Sequence, residues 1–295
     1  MDNNINNSQN EKPVEISGTE PGVKSPKARK KISVIDIVRR LVMVCALCVF
    51  TYSSYELTNV YLDYKDGDED YEDLNSLFEV PDISGEVETE VDEQGNIVIA
   101  NNNKGAEWVW DYDSMLAINS DSKGWIAQGN QISYPILQGT DNEYYLSHTA
   151  YYSENKNGSI FIDYRNKDGL ESRNCIIYGH DMLNGSMFGS LMQYASKSYY
   201  EQNPTFDIYI GYKHYKYYVF AAYETDAIGD TYTYDFLTDE DFQKYIDAAW
   251  ARKLYSTDVK GVSVTDHIVT LSTCTRHSDD KRFIVQMVRG EEVTD

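Results

Sequence analysis

Between residues 125 and 288 the chain returns repeatedly to short runs of β-branched and aromatic residues, and that recurrence limits its folds more than any other feature. The runs fall at 125–127, 133–137, 159–163, 175–178, 206–210, 215–223, 267–272 and 283–288. Val, Ile and Thr are stiff at χ1 and pack well on a pleated surface, and Tyr and Phe share that preference. Gly and Asn in the intervening stretches supply turns. About eight such strands argue for a closed barrel or a sandwich rather than a helical or doubly wound fold. Residues 107–292 are numerous enough to bury one real core, and 26 tyrosines suit strands and grooves with one wet edge. Helical spacing interrupts the pattern three times. A helix is expected around Met115 to Ile118 and a second over 186–200, with Met187, Leu191 and Tyr194 on one face. A third is expected over 239–255, with Thr238 as N-cap and Phe242, Ile246, Ala249 and Lys253 on one stripe.

The chemistry gathers at strand ends. In Thr270-Leu-Ser-Thr-Cys274 alternation sets Val269, Leu271 and Thr273 on one face and Ile268, Thr270, Ser272 and Cys274 on the other. Cys274 stands where the strand gives way to the polar loop Thr275-Arg-His-Ser-Asp-Asp-Lys281, and Arg282 opens the next apolar run. His180 closes another short run, Cys-Ile-Ile-Tyr-Gly-His, where Gly179 is expected to adopt a backbone conformation denied to other residues. A thiol, an imidazole to exchange protons with it and a guanidinium to hold negative charge are the parts acyl transfer needs. Each has a plainer reading as core or surface residue, and two local rivals exist. Arg276 lies nearer the cysteine than Arg282, and His277 competes with His180, although a loop histidine is poorly held for repeated proton transfer. The order of residues excludes the papain-like pattern, and the spacing and the missing signature exclude the caspase one. No zinc spacing, phosphate-cradling Gly loop or EF-hand loop is present, so neither metal nor cofactor is expected.

Thr-Leu-Ser-Thr-Cys274 followed by Arg282, with Tyr-Gly-His180-Asp-Met upstream, resembles the sortases, the cysteine transpeptidases of Gram-positive cell surfaces. The segments Asp141-Asn-Glu-Tyr-Tyr-Leu-Ser-His148 and Gly158-Ser-Ile-Phe-Ile-Asp163 extend the resemblance, which runs from about residue 115 to 290. The short interval from Cys to Arg and the helix between the last two long strand regions are similar to class B. The resemblance implies a mainly β fold, a closed eight-stranded barrel with peripheral helices, in which the last helix borders the substrate groove. It implies Cys274 as nucleophile, His180 as general acid and base, and Arg282 as stabiliser of substrate and oxyanion, with Ser272 and Thr273 as substrate contacts. The partners it implies are secreted proteins with a C-terminal sorting signal, cut after threonine, and a peptidoglycan-precursor amine as acceptor. A pilus-polymerising sortase that uses a pilin lysine, and an anchored peptide-binding module without activity, are the alternatives.

Ahead of this domain, residues 1–40 carry eight Lys and Arg against five Asp and Glu, while the remainder carries 18 against 43, which together give the net charge of −22. Residues 1–26 have few bulky apolar side chains and read as a disordered tail, followed by a basic cluster. Residues 41–52 are then free of charge, and extending to 62 reaches the roughly 20 residues a spanning helix needs. A single-pass anchor over 41–62 is expected, with the basic N-terminus inside and the bulk of the chain outside the cell membrane. A cleaved signal peptide or an ordinary helix are the other readings of the same run. Residues 63–106, rich in Asp, Glu, Gly and Asn, are expected to form an unpacked stalk. The acidic exterior excludes nucleic-acid binding, since phosphates would be repelled. Of the four cysteines, Cys45 and Cys48 fall in the apolar segment and Cys175 in a strand, which leaves Cys274 free.

Overall fold

The computed structural model describes residues 33–79, 89–91, 97–99, 109–129 and 131–294. The chain divides into two units, residues 1–54 and 55–295. In the first, residues 34–54 are helical, the opening part of α1 (Val34–Asn75), and their apolar side chains such as Leu41, Leu47 and Phe50 are exposed. No helix among the described residues is long and apolar enough to cross a membrane. The expected span is helical throughout, but Thr51, Ser53, Ser54, Glu56 and Asn59 dilute its second half.

The second unit is built on a closed barrel of eight strands. They are β1 (Ser122–Gln128), β2 (Ile132–Leu137), β3 (Ile160–Ile162), β4 (Asn174–Tyr178), β5 (Thr205–Ile210), β6 (Lys213–Asp226), β7 (Ile268–Thr275) and β8 (Ser278–Glu292). The order around the barrel is β6-β8-β7-β4-β3-β2-β1-β5, with β5 returning to β6. Six of these pairings are antiparallel. β2 with β3 and β4 with β7 run parallel. The barrel interior is closed by large apolar side chains, among them Trp125, Phe161, Phe206 and Tyr217, together with Val269 and Leu271 of β7. Alternation sends Ile268 of β7 outward into a second cluster with Phe242, Ile246 and Ala249 of the helix Asp239–Arg252.

That helix begins where Thr238 accepts a hydrogen bond from the Asp241 amide at 3.1 Å. It ends at Arg252, three residues before the expected stop, because Lys253 turns to ψ 135 and lays its ammonium 3.9 Å from the centre of the Trp250 ring. Trp250 meets Phe220 edge to face and covers the barrel. Beneath the helix, the buried Tyr245 hydroxyl donates to the Thr231 carbonyl at 3.0 Å and accepts from Asn174 at 2.8 Å and Gln286 at 2.7 Å. One hydroxyl thus ties the helix to β4, to β8 and to the connection that leaves β6.

Three expectations change on the fold. The helix expected over 186–200 is a 3-10 turn, Gly189–Ala195, followed by a short helix, Lys197–Gln202. Residues 187 and 188 are held out of it because the Met187 amide donates to the Tyr134 hydroxyl at 2.9 Å and the Phe188 amide to the His180 carbonyl at 2.9 Å. Gly179 is not among the glycines with positive φ. Its role is steric, since a Cβ there would lie 2.4 Å from Ile160 and 2.7 Å from Phe188.

The acidic tract supplies the third change. Residues 63–75 are helix, and they pack on the domain instead of hanging free. Gly67, Tyr71 and Leu74 lie at i, i+4 and i+7 and form a buried stripe, with Tyr71 3% and Leu74 0% exposed. The Tyr71 hydroxyl donates to the Gly158 carbonyl at 2.6 Å and lies 2.9 Å from Ser159 Oγ. A Cβ on Gly67 would meet Asn157 Nδ2 at 2.5 Å and Asn155 Oδ1 at 2.6 Å, so only glycine fits that approach. The acidic side chains beside the stripe accept from polar loop residues, Asp70 from Thr149 at 3.0 Å, Asp73 from Tyr151 at 2.6 Å and Asp68 from Asn184 at 3.0 Å. Phe78–Glu79 then pairs with Val109–Trp110, and Thr89–Val91 pairs with Ile97–Ile99. The remaining stretches of the expected stalk, 80–88, 92–96 and 100–106, lie outside the described residues.

Candidate active site

Parallel pairing of β4 with β7 runs from Ile268↔Asn174 to Ser272↔Tyr178. Two more contacts extend it. The Gly179 amide donates to the Ser272 carbonyl at 3.2 Å, and Thr273 Oγ1 donates to the Gly179 carbonyl at 2.8 Å. The next residues on the two chains are His180 and Cys274. On the other side of β7, Cys274 is directly opposite Arg282 in the antiparallel ladder, immediately before a register shift toward Thr275↔Ser278. Directly opposite residues project from the same face. The sheet therefore delivers imidazole, thiol and guanidinium to the end of one strand from three neighbouring strand termini.

A cavity of 270 Å³ is lined by all three, together with Ser272, Thr273, Leu146, Tyr178 and Tyr232. Cys274 is a free, exposed cysteine. His180 Nε2 lies 2.7 Å from the Leu146 carbonyl. A carbonyl only accepts, so Nε2 carries the proton and Nδ1 is the nitrogen left for proton exchange. Arg282 Nη1 donates to the Asp279 and Lys281 carbonyls at 2.7 and 2.8 Å, which anchors one arm of the fork and leaves Nη2 and Nε uncommitted. Thr273 spends its hydroxyl on Gly179, and Ser272 Oγ lies 3.0 Å from the Tyr232 hydroxyl.

The local rivals are committed elsewhere. Arg276 forks onto Asp181, with Nε to Oδ2 at 2.8 Å and Nη2 to Oδ1 at 2.7 Å, and His277 Nε2 lies 3.0 Å from Glu224. Neither lines the cavity.

Not every contributor lies in a motif. Tyr232 arrives from the connection between β6 and the helix Asp239–Arg252, so that connection and not the helix itself borders the cavity. Burial raises the Tyr232 hydroxyl above its ordinary range despite the Ser272 bond and the Arg282 charge, which keeps it a neutral hydrogen-bonding group. Tyr178 donates to Asp163 at 2.9 Å. The Asp163 side chain is 0% exposed and is gripped by Arg165 at 2.6 and 2.8 Å. Burial would raise this carboxyl, but the Arg165 fork and the Tyr178 bond hold it below the usual carboxylate range. A larger cavity of 510 Å³ opens beside Arg165, Lys167 and Arg173. It is lined by no cysteine or histidine, and Arg165 and Arg173 are paired with Asp163 and Asp239, so the smaller cavity is the one equipped for thiol chemistry. Among the described residues no group of three or more His, Cys, Asp or Glu side chains could hold a metal ion.

Comparison with known proteins agrees with this geometry. Residues 126–289 match the Sortase domain family. The chain is 38% identical to sortase B of Listeria monocytogenes over 178 residues, which covers 60% of this chain and 72% of that one. It is 29% identical to sortase B of Staphylococcus aureus over 235 residues, 79% and 88% of the two chains. A Staphylococcus aureus sortase B–substrate complex superposes with a TM-score of 0.57 at 34% identity, covering 61% of this chain and 84% of that one. With the family matched over more than half its length, this chain belongs to the sortases, and among them to the class B cysteine transpeptidases.

Proposed function

We propose that Cys274 is the nucleophile of this transpeptidase, His180 its general acid and base, and Arg282 the group that receives the developing oxyanion. The observation that carries the assignment is the convergence of the three side chains on one 270 Å³ cavity. In the first half-reaction Cys274 Sγ gives its proton to His180 Nδ1 and bonds to the carbonyl carbon of the threonine in a C-terminal sorting signal. The tetrahedral oxyanion forms beside the uncommitted arm of Arg282, where a forked donor suits it better than a point charge. Collapse breaks the C–N bond, and the departing amine takes a proton from His180. In the second half-reaction an acceptor amine loses a proton to His180, attacks the thioacyl carbon and expels Cys274 as thiolate. Ser272 and Tyr232 offer hydroxyls along the cavity wall for the substrate backbone.

The acceptor on this reading is an amine of a cell-wall precursor peptide, and the substrates are secreted proteins that end in a sorting signal. Residues 41–62 anchor the chain to the cell membrane, with the basic tail inside and the barrel outside. The support for that anchor is the exposed apolar run from Leu41 to Phe50 beside Arg39 and Arg40. Recovery of the full-length chain in a carbonate wash of membranes would remove it.

The test of the chemistry is a peptide-library screen with the full chain, read by mass spectrometry for a thioacyl adduct on Cys274. A Cys274→Ala variant that still cleaves ends the assignment. The trapped thioacyl enzyme is then offered a lipid-linked peptide amine and a pilin lysine peptide. Transfer to the lysine alone would make the chain a pilus-polymerising enzyme.

A further inference from the structure

Beyond the last ladder contact, where Thr273 bonds to Gly179, β7 and the segment after β4 no longer pair as strands. They meet once more through side chains. Arg276, two residues past Cys274, grips Asp181, the residue that follows His180, through two parallel hydrogen bonds of 2.7 and 2.8 Å, and Nη2 adds a contact of 3.4 Å to the Met182 carbonyl. The thiol and the imidazole therefore each lie between two cross-links, a main-chain one before them and an ionic one after them.

This is not an ordinary surface pair. The Asp181 side chain is 4% exposed, against 48% for Arg276. The backbone of Asp181 is itself fixed, because it bridges to Met187 and the His180 carbonyl accepts from the Phe188 amide at 2.9 Å. The carboxylate is thus a rigid post, and the guanidinium ties the turn between β7 and β8 to it. A bidentate fork defines angle as well as distance, which a lysine cannot reproduce. Nucleophile and base need such control, since misplacement by about 1 Å can cost on the order of 100-fold in rate.

We propose that Asp181 and Arg276 are positioning residues for transpeptidation, and that their ion pair sets the separation between His180 and Cys274. The inference rests on the assignment of those two residues as base and nucleophile. It is tested with the full chain and the peptide that acylates Cys274 in the screen above. Measured for each variant are kcat, KM and melting temperature.

Arg276→Ala and Asp181→Ala are each expected to lower kcat by about 10- to 100-fold with KM within about twofold. The double variant is expected to fall no further than either single one, and Arg276→Lys to recover part of the loss. A turn staple with a purely structural role would lower the melting temperature and leave kcat of the folded protein unchanged. That result overturns the proposal, as does a loss carried by KM or losses that multiply in the double variant. If the alanine variants do not fold, Arg276→Lys decides. Full kcat refutes the pair's role, and a lowered kcat at unchanged KM supports it. Failure of the underlying assignment is separately visible as turnover by Cys274→Ala.

Discussion

Removing the Tyr71 side chain tests whether the acidic tract belongs to the folded domain. Tyr71 is 3% exposed, packs edge to face on Tyr134 at 5.2 Å and donates to Gly158 from a buried hydroxyl. Truncating a buried aromatic to alanine costs about 3–5 kcal/mol through lost transfer energy and the cavity left behind. The hydroxyl alone accounts for about 1–2 kcal/mol, because its loss strands the Gly158 carbonyl in a buried place. Tyr71→Ala is therefore expected to destabilise the full chain by about 4 kcal/mol and Tyr71→Phe by about 1–2 kcal/mol. Urea denaturation followed by tryptophan fluorescence measures both, since Trp110 and Trp125 sit in the same core cluster as Tyr71. If both variants unfold at the wild-type midpoint, residues 63–75 are not docked in solution. The helix would then be a free tether, as composition suggests.

Arg282→Lys should keep the fold and lose about 100- to 1,000-fold in kcat, measured on the acylating peptide, because one point donor replaces a fork at the oxyanion. Iodoacetamide under native conditions should modify Cys274 and spare Cys175, which burial pushes to a pKa far above its ordinary value. Peptide mapping reads both sites, and early labelling of Cys175 would contradict its burial. Asp163→Asn should cost about 2 kcal/mol near neutral pH, where the carboxylate holds Arg165 and Tyr178. Since the folded carboxyl titrates below its unfolded value, that contribution is present above a pH of about 4 and fades as pH falls through the folded value. Melting curves of wild type and variant should accordingly stay apart above a pH of about 4 and converge below it.

What the sequence reveals depends on how local the signal is. The strands of the barrel are legible because alternation in β7 depends only on neighbours, and Val269 and Leu271 do turn inward while Ile268 turns outward. Cys274, His180 and Arg282 stand out because each closes or opens such a run. The groups that complete the cavity are silent for physical reasons. Leu146 contributes a backbone carbonyl, which every residue type carries, and Tyr232 is one of 26 tyrosines, in a connection without periodicity. The fork between Arg276 and Asp181 joins residues 95 apart, so a rival catalytic arginine and a structural one look the same in one dimension. In the acidic tract, average composition conceals the spacing. Gly67, Tyr71 and Leu74 are few, but they share one face, and a helix needs only that face to dock.

The parallel seam between β4 and β7 also has a kinetic consequence. Its contacts join segments 94 residues apart, and β7 must slot between β4 and β8 before any of them forms. Non-local pairing of this kind is slow, typically on the order of milliseconds to seconds. Until that pairing forms, Cys274 is an ordinary, unassisted cysteine. His180 and Arg282 come to flank Cys274 only when the last hairpin locks in.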